Sequence, residues 1–136
     1  MDKILVVDDE PSVRRLLRAA LSKSGYGVVE ASDGGEGLRK ALEEKPDLII
    51  SDALMSVHGG YQMARNLRDN PVTASVPIIM LTGLNEETDE LNAFQEGVDD
   101  YIVKPVRAPV LRARVAALLS RAHALCAPAA SSPLAK

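Results

Sequence analysis

Ile4-Leu5-Val6-Val7-Asp8-Asp9-Glu10-Pro11 decides the fold. Four consecutive apolar residues mark a strand buried on both faces, as in a parallel sheet. An acidic pair follows, and Pro11 then stands where a first helical turn tolerates it. Val13, Leu16, Leu17, Ala20 and Leu21 recur at helical spacing, and Gly25 ends that helix. The same alternation continues down the chain. Residues 26–30 read as a second strand, and Asp33 as the N-cap of a helix with Leu38, Ala41 and Leu42 inward. Gly34, Gly35 and Gly37 weaken the first turn of that helix, and Pro46 stops it. Leu48-Ile49-Ile50 is a third buried strand, running into Ser51-Asp52. After Gly59-Gly60 a helix is predicted over 61–69, with Pro71 beyond it. Pro77 opens a fourth strand, Ile78-Ile79-Met80-Leu81, which ends at Thr82-Gly83.

Asn85 can cap the next helix, whose N-terminal end is crowded by Glu86, Glu87, Asp89 and Glu90. Leu91 and Phe94 are its expected core contacts, and Gly97 closes it. A fifth strand over 100–103 leads to Lys104-Pro105, and the last helix carries Val110, Leu111, Val115, Leu118 and Leu119 on one side. Five β-α units in strict alternation predict an α/β domain with an open parallel sheet and helices on both faces. Past about residue 123 the Ala, Pro and Ser composition, without an amphipathic period, reads as a flexible tail or the start of a linker over 123–136.

The 136 residues suffice for one domain with a core of its own. At 46% hydrophobic and 26% charged, disorder along the whole length is excluded. Cys126 is the sole cysteine, which rules out a disulfide framework or multi-cysteine zinc site and favours a reducing compartment. No apolar stretch approaches membrane-spanning length, and the N-terminus lacks the order of a signal peptide, so a cytoplasmic location without membrane contact is expected. The formal net charge of −3 hides an asymmetry. Residues 107–136 hold five basic side chains and no acidic one, which leaves 11 basic against 19 acidic, or −8, in the first 106. Five charges over 30 residues is sparse for a nucleic-acid surface, and helix C-termini collect arginine through the macrodipole.

Polar residues gather where the predicted strands end. Asp8 and Asp9 follow strand one, Asp52 strand three, Thr82 strand four and Lys104 strand five. Parallel strands put these positions on one edge of the sheet, where ligands bind in such folds. Alone, each has a bland explanation: an N-cap for Asp8 or Asp9, a turn for Asp52, a strand-end hydroxyl for Thr82, a solvated charge for Lys104. Together they describe chemistry. Three carboxylates would repel unless a cation joins them, and oxygen-only ligands select a hard ion, Mg²⁺ in a cell. A lysine and a hydroxyl opposite it complete what phosphoryl transfer needs, and a carboxylate in the group can itself be the nucleophile, giving an aspartyl phosphate.

Ile4-Leu5-Val6-Val7-Asp8-Asp9-Glu10-Pro11, Asp47-Leu48-Ile49-Ile50-Ser51-Asp52, Pro77-Ile78-Ile79-Met80-Leu81-Thr82-Gly83 and Asp99-Asp100-Tyr101-Ile102-Val103-Lys104-Pro105 together resemble the receiver domain of two-component response regulators, over roughly residues 2–122. The resemblance implies a flavodoxin-like fold with sheet order 2-1-3-4-5 and a receiver domain over 1–122. It also implies phosphorylation of Asp52 by a phosphohistidine on a sensor histidine kinase or histidine phosphotransfer protein. By motif, Asp9, Asp52 and the carbonyl of Leu54 would bind Mg²⁺ directly and Asp8 through water. Lys104 would pair with the phosphoryl group, Thr82 would bond to it, and Tyr101 would turn inward as Thr82 moves. Gly83 lets a phosphoryl group approach the backbone N–H. A cis Lys104-Pro105 bond is implied as well.

Two departures stand out. Ser56 replaces the proline usual four residues after the aspartate, and His58-Gly59-Gly60 lacks the common acidic residue before the second glycine. Leu54 and Leu84 fall at the mouth of the site, and two leucines there predict slow loss of phosphate. The predicted readout is the surface of the fourth helix, fifth strand and fifth helix, where the 86–90 acidic run and Asp99-Asp100 face basic side chains of the last helix. Such a surface admits a two-fold homodimer with reciprocal charge pairs and favours protein over nucleic acid as a partner. Two alternatives compete. A haloacid-dehalogenase-like phosphatase also uses an aspartate nucleophile, but places it after the first strand with a second aspartate two residues on. A pseudo-receiver would only bind, which intact Asp52, Thr82 and Lys104 oppose. A stand-alone receiver and one cut from a longer regulator would share the same chemistry.

Overall fold

The structure is a computed structural model that describes residues 2–55, 59–83 and 97–125. In chain order these form β1 (Lys3–Val7), α1 (Pro11–Lys23), β2 (Gly27–Ala31), α2 (Gly34–Glu44), β3 (Leu48–Asp52), α3 (Gly60–Arg68), β4 (Ile78–Thr82), β5 (Asp100–Val103) and α4 (Ala108–Leu125). The strands make one sheet of order β2-β1-β3-β4-β5, and every adjacent pair is parallel. The helix expected around Asn85, Leu91 and Phe94 lies outside the described residues. So do Leu84, Ser56, His58 and the chain from Cys126 onward.

The apolar runs sort themselves by strand alternation. Ile4, Val6, Leu48, Ile50, Ile79, Leu81 and Ile102 point to one face, where Leu17 and Leu21 of α1 and Leu111, Val115, Leu118 and Leu119 of α4 cover them. Leu5, Val7, Ile49, Ile78 and Met80 point to the other, under Ala41 of α2 and Met63, Ala64 and Leu67 of α3. Each fully buried Leu, Ile or Met contributes about 1.5–3 kcal/mol. Two cores therefore clamp one sheet, and all five residues of β3 are buried.

Local signals hold the helices in place. Asp33 caps α2, accepting from the Glu36 N–H at 2.8 Å. Gly25, past the end of α1, adopts φ +89, a conformation that suits glycine. The N-cap of α1 is Glu10, with no side-chain cap; Asp8 instead accepts the Glu10 N–H at 2.9 Å.

Three expectations need correction. The second strand is shifted by one, to Gly27–Ala31, because its pairing with β1 matches Lys3 to Gly27. Leu16 is not a core residue: it is half exposed beside Ala19, Lys23, Ala108 and Arg112, in a groove between α1 and α4. One residue is about 100° of helix rotation, and Leu17 takes the inward direction. Of Asp99 and Asp100, it is Asp100 that pairs with the last helix, through Arg114 at 2.8 Å, while the 86–90 run lies outside the described residues. Asp99 turns to Arg68 of α3 at 2.9 Å and also accepts the Ile78 N–H at 2.8 Å. The last helix also runs on to Leu125, and His123 on it lies 3.0 Å from Asp2.

Candidate phosphoacceptor site

Parallel register assembles the site. Val7 pairs with Ser51, Asp52 with Leu81, and Thr82 with Val103, so Asp8, Asp52, Thr82 and Lys104 emerge together at the carboxyl edge. Carboxylate oxygens of Asp8, Asp9 and Asp52 lie within 4.8 Å of one another. Asp8 and Asp52 are buried, while Asp9 is exposed at the rim. Lys104 places its ammonium 3.1 Å from Asp52 Oδ1 and 3.8 Å from Asp8 Oδ2, the latter an ion-pair distance too long for a hydrogen bond. The Lys104 backbone is itself fixed, since its N–H donates to the Thr82 carbonyl at 2.6 Å. The Lys104-Pro105 bond is cis.

Electrostatics leave the site short of positive charge. Burial pushes the Asp8 carboxyl up to about 6 from an ordinary 3.8; Asp52 and Asp9 add to the rise, while the Glu10 N–H and Lys104 oppose it. Burial likewise raises Asp52, against the hydrogen bond and charge of Lys104. Burial alone would lower Lys104, but the hydrogen bond and charge of Asp52, with Asp8 behind it, carry its pKa upward. Asp8 Oδ2 is buried and has no hydrogen-bond partner. A buried carboxylate oxygen that receives no hydrogen bond, beside two more carboxylates, fits a hard cation. The donor set is all oxygen, as Mg²⁺ prefers.

The remaining predicted residues surround this cluster. Thr82 is buried at the end of β4, with Gly83 next to it. Tyr101 is half-buried, in register with Met80 and packed against the α2/α3 core. Leu54 is 59% exposed, and its N–H sits 3.4 Å from Asp52 Oδ1. Gly60 opens α3 so close to β3 that an added Cβ would lie 2.1 Å from the Asp52 carbonyl oxygen.

Sequence reasoning missed two residues that bear on the site. Arg14 of α1 donates to the Asp8 carbonyl at 2.5 Å and to Glu30 Oε1 at 3.1 Å. Glu30, on edge strand β2, also receives Arg18, which with Arg14 holds its carboxyl below the usual range. The available signal was a charge one helical turn after the acidic pair, beside the inward positions Val13 and Leu17.

Residues 4–116 match the family described as "Response regulator receiver domain", and the chain belongs to it. The alkaline phosphatase synthesis transcriptional regulatory protein PhoP of Bacillus subtilis is 45% identical over 121 residues, 89% of this chain and 50% of PhoP. ResD, a transcriptional regulatory protein of the same organism, is 46% identical over 120 residues, 88% of this chain and 49% of ResD. The chain thus spans about half the length of the curated relatives it matches. A putative response regulator from Chloroflexus aurantiacus superposes with a TM-score of 0.84 at 33% identity, covering 88% of this chain and 98% of that one. Chemotaxis protein CheY4 of Vibrio cholerae gives 0.82 at 32%, covering 86% and 98%. The fold is the flavodoxin-like one of these receivers, and the haloacid-dehalogenase-like reading has no support among them. No described helix is long and apolar enough to cross a membrane.

Proposed function

We propose that this receiver is a phosphorylation-dependent switch whose acceptor is Asp52. The observation that carries the reading is the convergence of three carboxylates with Lys104 on one sheet edge. An Asp52 oxygen attacks the phosphorus of a phosphohistidine on a sensor kinase or phosphotransfer protein. The P–N bond breaks, a P–O bond forms, and the imidazole leaves with a proton from solvent. Asp9, Asp52 and the Leu54 carbonyl would hold Mg²⁺ directly, and Asp8 through water, as in the family. When bound, the ion offsets charge on the carboxylates and on the phosphoryl oxygens. Lys104, already on Asp52, moves to a phosphoryl oxygen. Thr82 is drawn to the phosphoryl group beside Gly83, and Tyr101 follows into the space it leaves.

The output is protein contact rather than turnover, through the face containing β5 and α4. PhoP and ResD are named as transcriptional regulators, so a DNA-binding output for this chain would reside outside the receiver itself. A homodimer across this face would have to recruit Arg114 from its pair with Asp100 in the same protomer.

Phosphorylation by acetyl phosphate or a partner kinase, in wild type and Asp52→Asn, with and without Mg²⁺, tests the assignment. Labelling should require both Asp52 and the metal. Equal labelling of the two proteins would overturn it.

A further inference from the structure

We infer that Arg14 is a positioning residue for the cation site: it fixes the Asp8–Asp9 peptide from behind, and so sets where the two carboxylates point. The inference rests on the metal reading above and deepens it.

Asp8 is held through its backbone as well as through its carboxylate, whose Oδ2 also lies 3.8 Å from Lys104 Nζ. Its N–H donates to the Ala31 carbonyl at 3.1 Å, continuing the β1–β2 ladder one residue past the strand. Its Oδ1 accepts the Glu10 N–H. Its side chain is wholly buried. Its carbonyl is taken by Arg14 Nη1. That carbonyl belongs to the peptide linking Asp8 to Asp9, so its direction fixes the plane from which the Asp9 side chain starts. Asp9 sits at the exposed rim, one residue beyond that peptide.

Arg14 can act as an anchor because it is itself anchored. Its Nε donates to Glu30 Oε1, and Glu30 Oε2 is held by Arg18. The Glu30 carbonyl accepts Lys40 Nζ at 2.7 Å, from α2. Two helices and the edge strand therefore brace one guanidinium, whose side chain is only 18% exposed. A planar fork serves a carbonyl and a carboxylate at once; an ammonium in its place would have to choose. This is the arrangement of a second layer behind a metal site, where the outer partner orients the ligand.

Charge and geometry predict opposite signs, which makes the idea testable. Removing a cation near a Mg²⁺ site should tighten binding if charge alone mattered. Removing a positioning group should weaken it. Mg²⁺ titrations of the whole chain, followed by amide NMR shifts, would compare wild type with Arg14→Gln, Arg14→Lys and Arg18→Gln. Urea midpoints in EDTA would be measured alongside. Both Arg14 variants should bind Mg²⁺ about tenfold more weakly. Arg18→Gln, which loosens only the far side of Glu30 and leaves the Arg14–Asp8 contact in place, should weaken binding by much less. In metal-free protein the Asp9 amide signal should move clearly in the Arg14 variants and by much less in Arg18→Gln.

Unchanged or tighter Mg²⁺ binding in Arg14→Gln overturns the inference, as does equal weakening by Arg18→Gln. Should Arg14→Gln not fold, Arg14→Lys decides by the same criteria. A wild type that binds no Mg²⁺ removes the metal reading itself, a failure distinguishable because it precedes any variant.

Discussion

Replacing Asp8 with asparagine should stabilise the metal-free domain at neutral pH, although it removes a carboxylate from the site. The folded protein raises Asp8 from 3.8 to about 6, chiefly through burial. At about 1.4 kcal/mol per pH unit, holding that group ionised costs about 3 kcal/mol of stability. Because the folded pKa lies above the unfolded one, the folded state keeps a proton between them that the unfolded chain has released. Stability from this group therefore falls as pH rises from about 4 to about 6, and the full cost applies above that. Asparagine keeps the Oδ1 acceptor for the Glu10 N–H and puts an amide where Oδ2 receives no hydrogen bond and lies 3.8 Å from Lys104. An imperfectly satisfied amide gives back about 1–2 kcal/mol, so the net gain should be about 1–2 kcal/mol near pH 7.5. Urea denaturation in EDTA, at several pH values between about 4 and 8, would measure it. The difference between variant and wild type should shrink toward zero or reverse as pH falls through about 5. A variant less stable than wild type at pH 7.5, or a gain independent of pH, would refute the reasoning.

Other substitutions probe the frame around the site. Gly60→Ala should destabilise by about 3 kcal/mol or more, since its Cβ meets the Asp52 carbonyl rather than a movable side chain; urea midpoints would show it. Arg68→Ala should cost about 3 kcal/mol, because that guanidinium serves the carbonyls of Ala74, Val76 and Gly97 as well as Asp99; Arg68→Lys should recover only a small part. Arg114→Ala should change stability by less than about 1 kcal/mol, its pair with Asp100 being solvent-exposed. Leu54→Asn and Leu84→Glu should each shorten the half-life of the phosphorylated protein, followed by loss of label; unchanged half-lives in both would remove the mouth-blocking explanation.

The sheet and the polar cluster at its carboxyl edge were legible because both depend on contrast. Ile4 to Val7, Leu48 to Ile50 and Ile78 to Leu81 are uninterrupted apolar runs, and each breaks off at a polar residue that the register then aligns. Where contrast fails, so does the reading. Leu16 and Leu17 are chemically identical neighbours, and only packing decides which turns inward. Arg14 looks like any charge on a helix, because its target is a backbone carbonyl, which carries no residue-type signature. Asp99 and Arg68 find each other across 31 residues with no local pattern linking them. Gly60 was legible as one of two glycines before the third helix, but its contact with the Asp52 backbone exists only once α3 has docked.

The double clamp on β3 makes positional accuracy at Asp52 a discrete property. Side chains alternate with period two, so a slip of one residue would send Ile49 and Ile50 into each other's cores and carry Asp52 about 3.3 Å from its place. Intermediate positions do not exist in a hydrogen-bonded ladder. Damage to the core far from Asp52 should therefore lower the fraction of molecules in register, each with its edge intact, rather than yield a population of slightly worse sites.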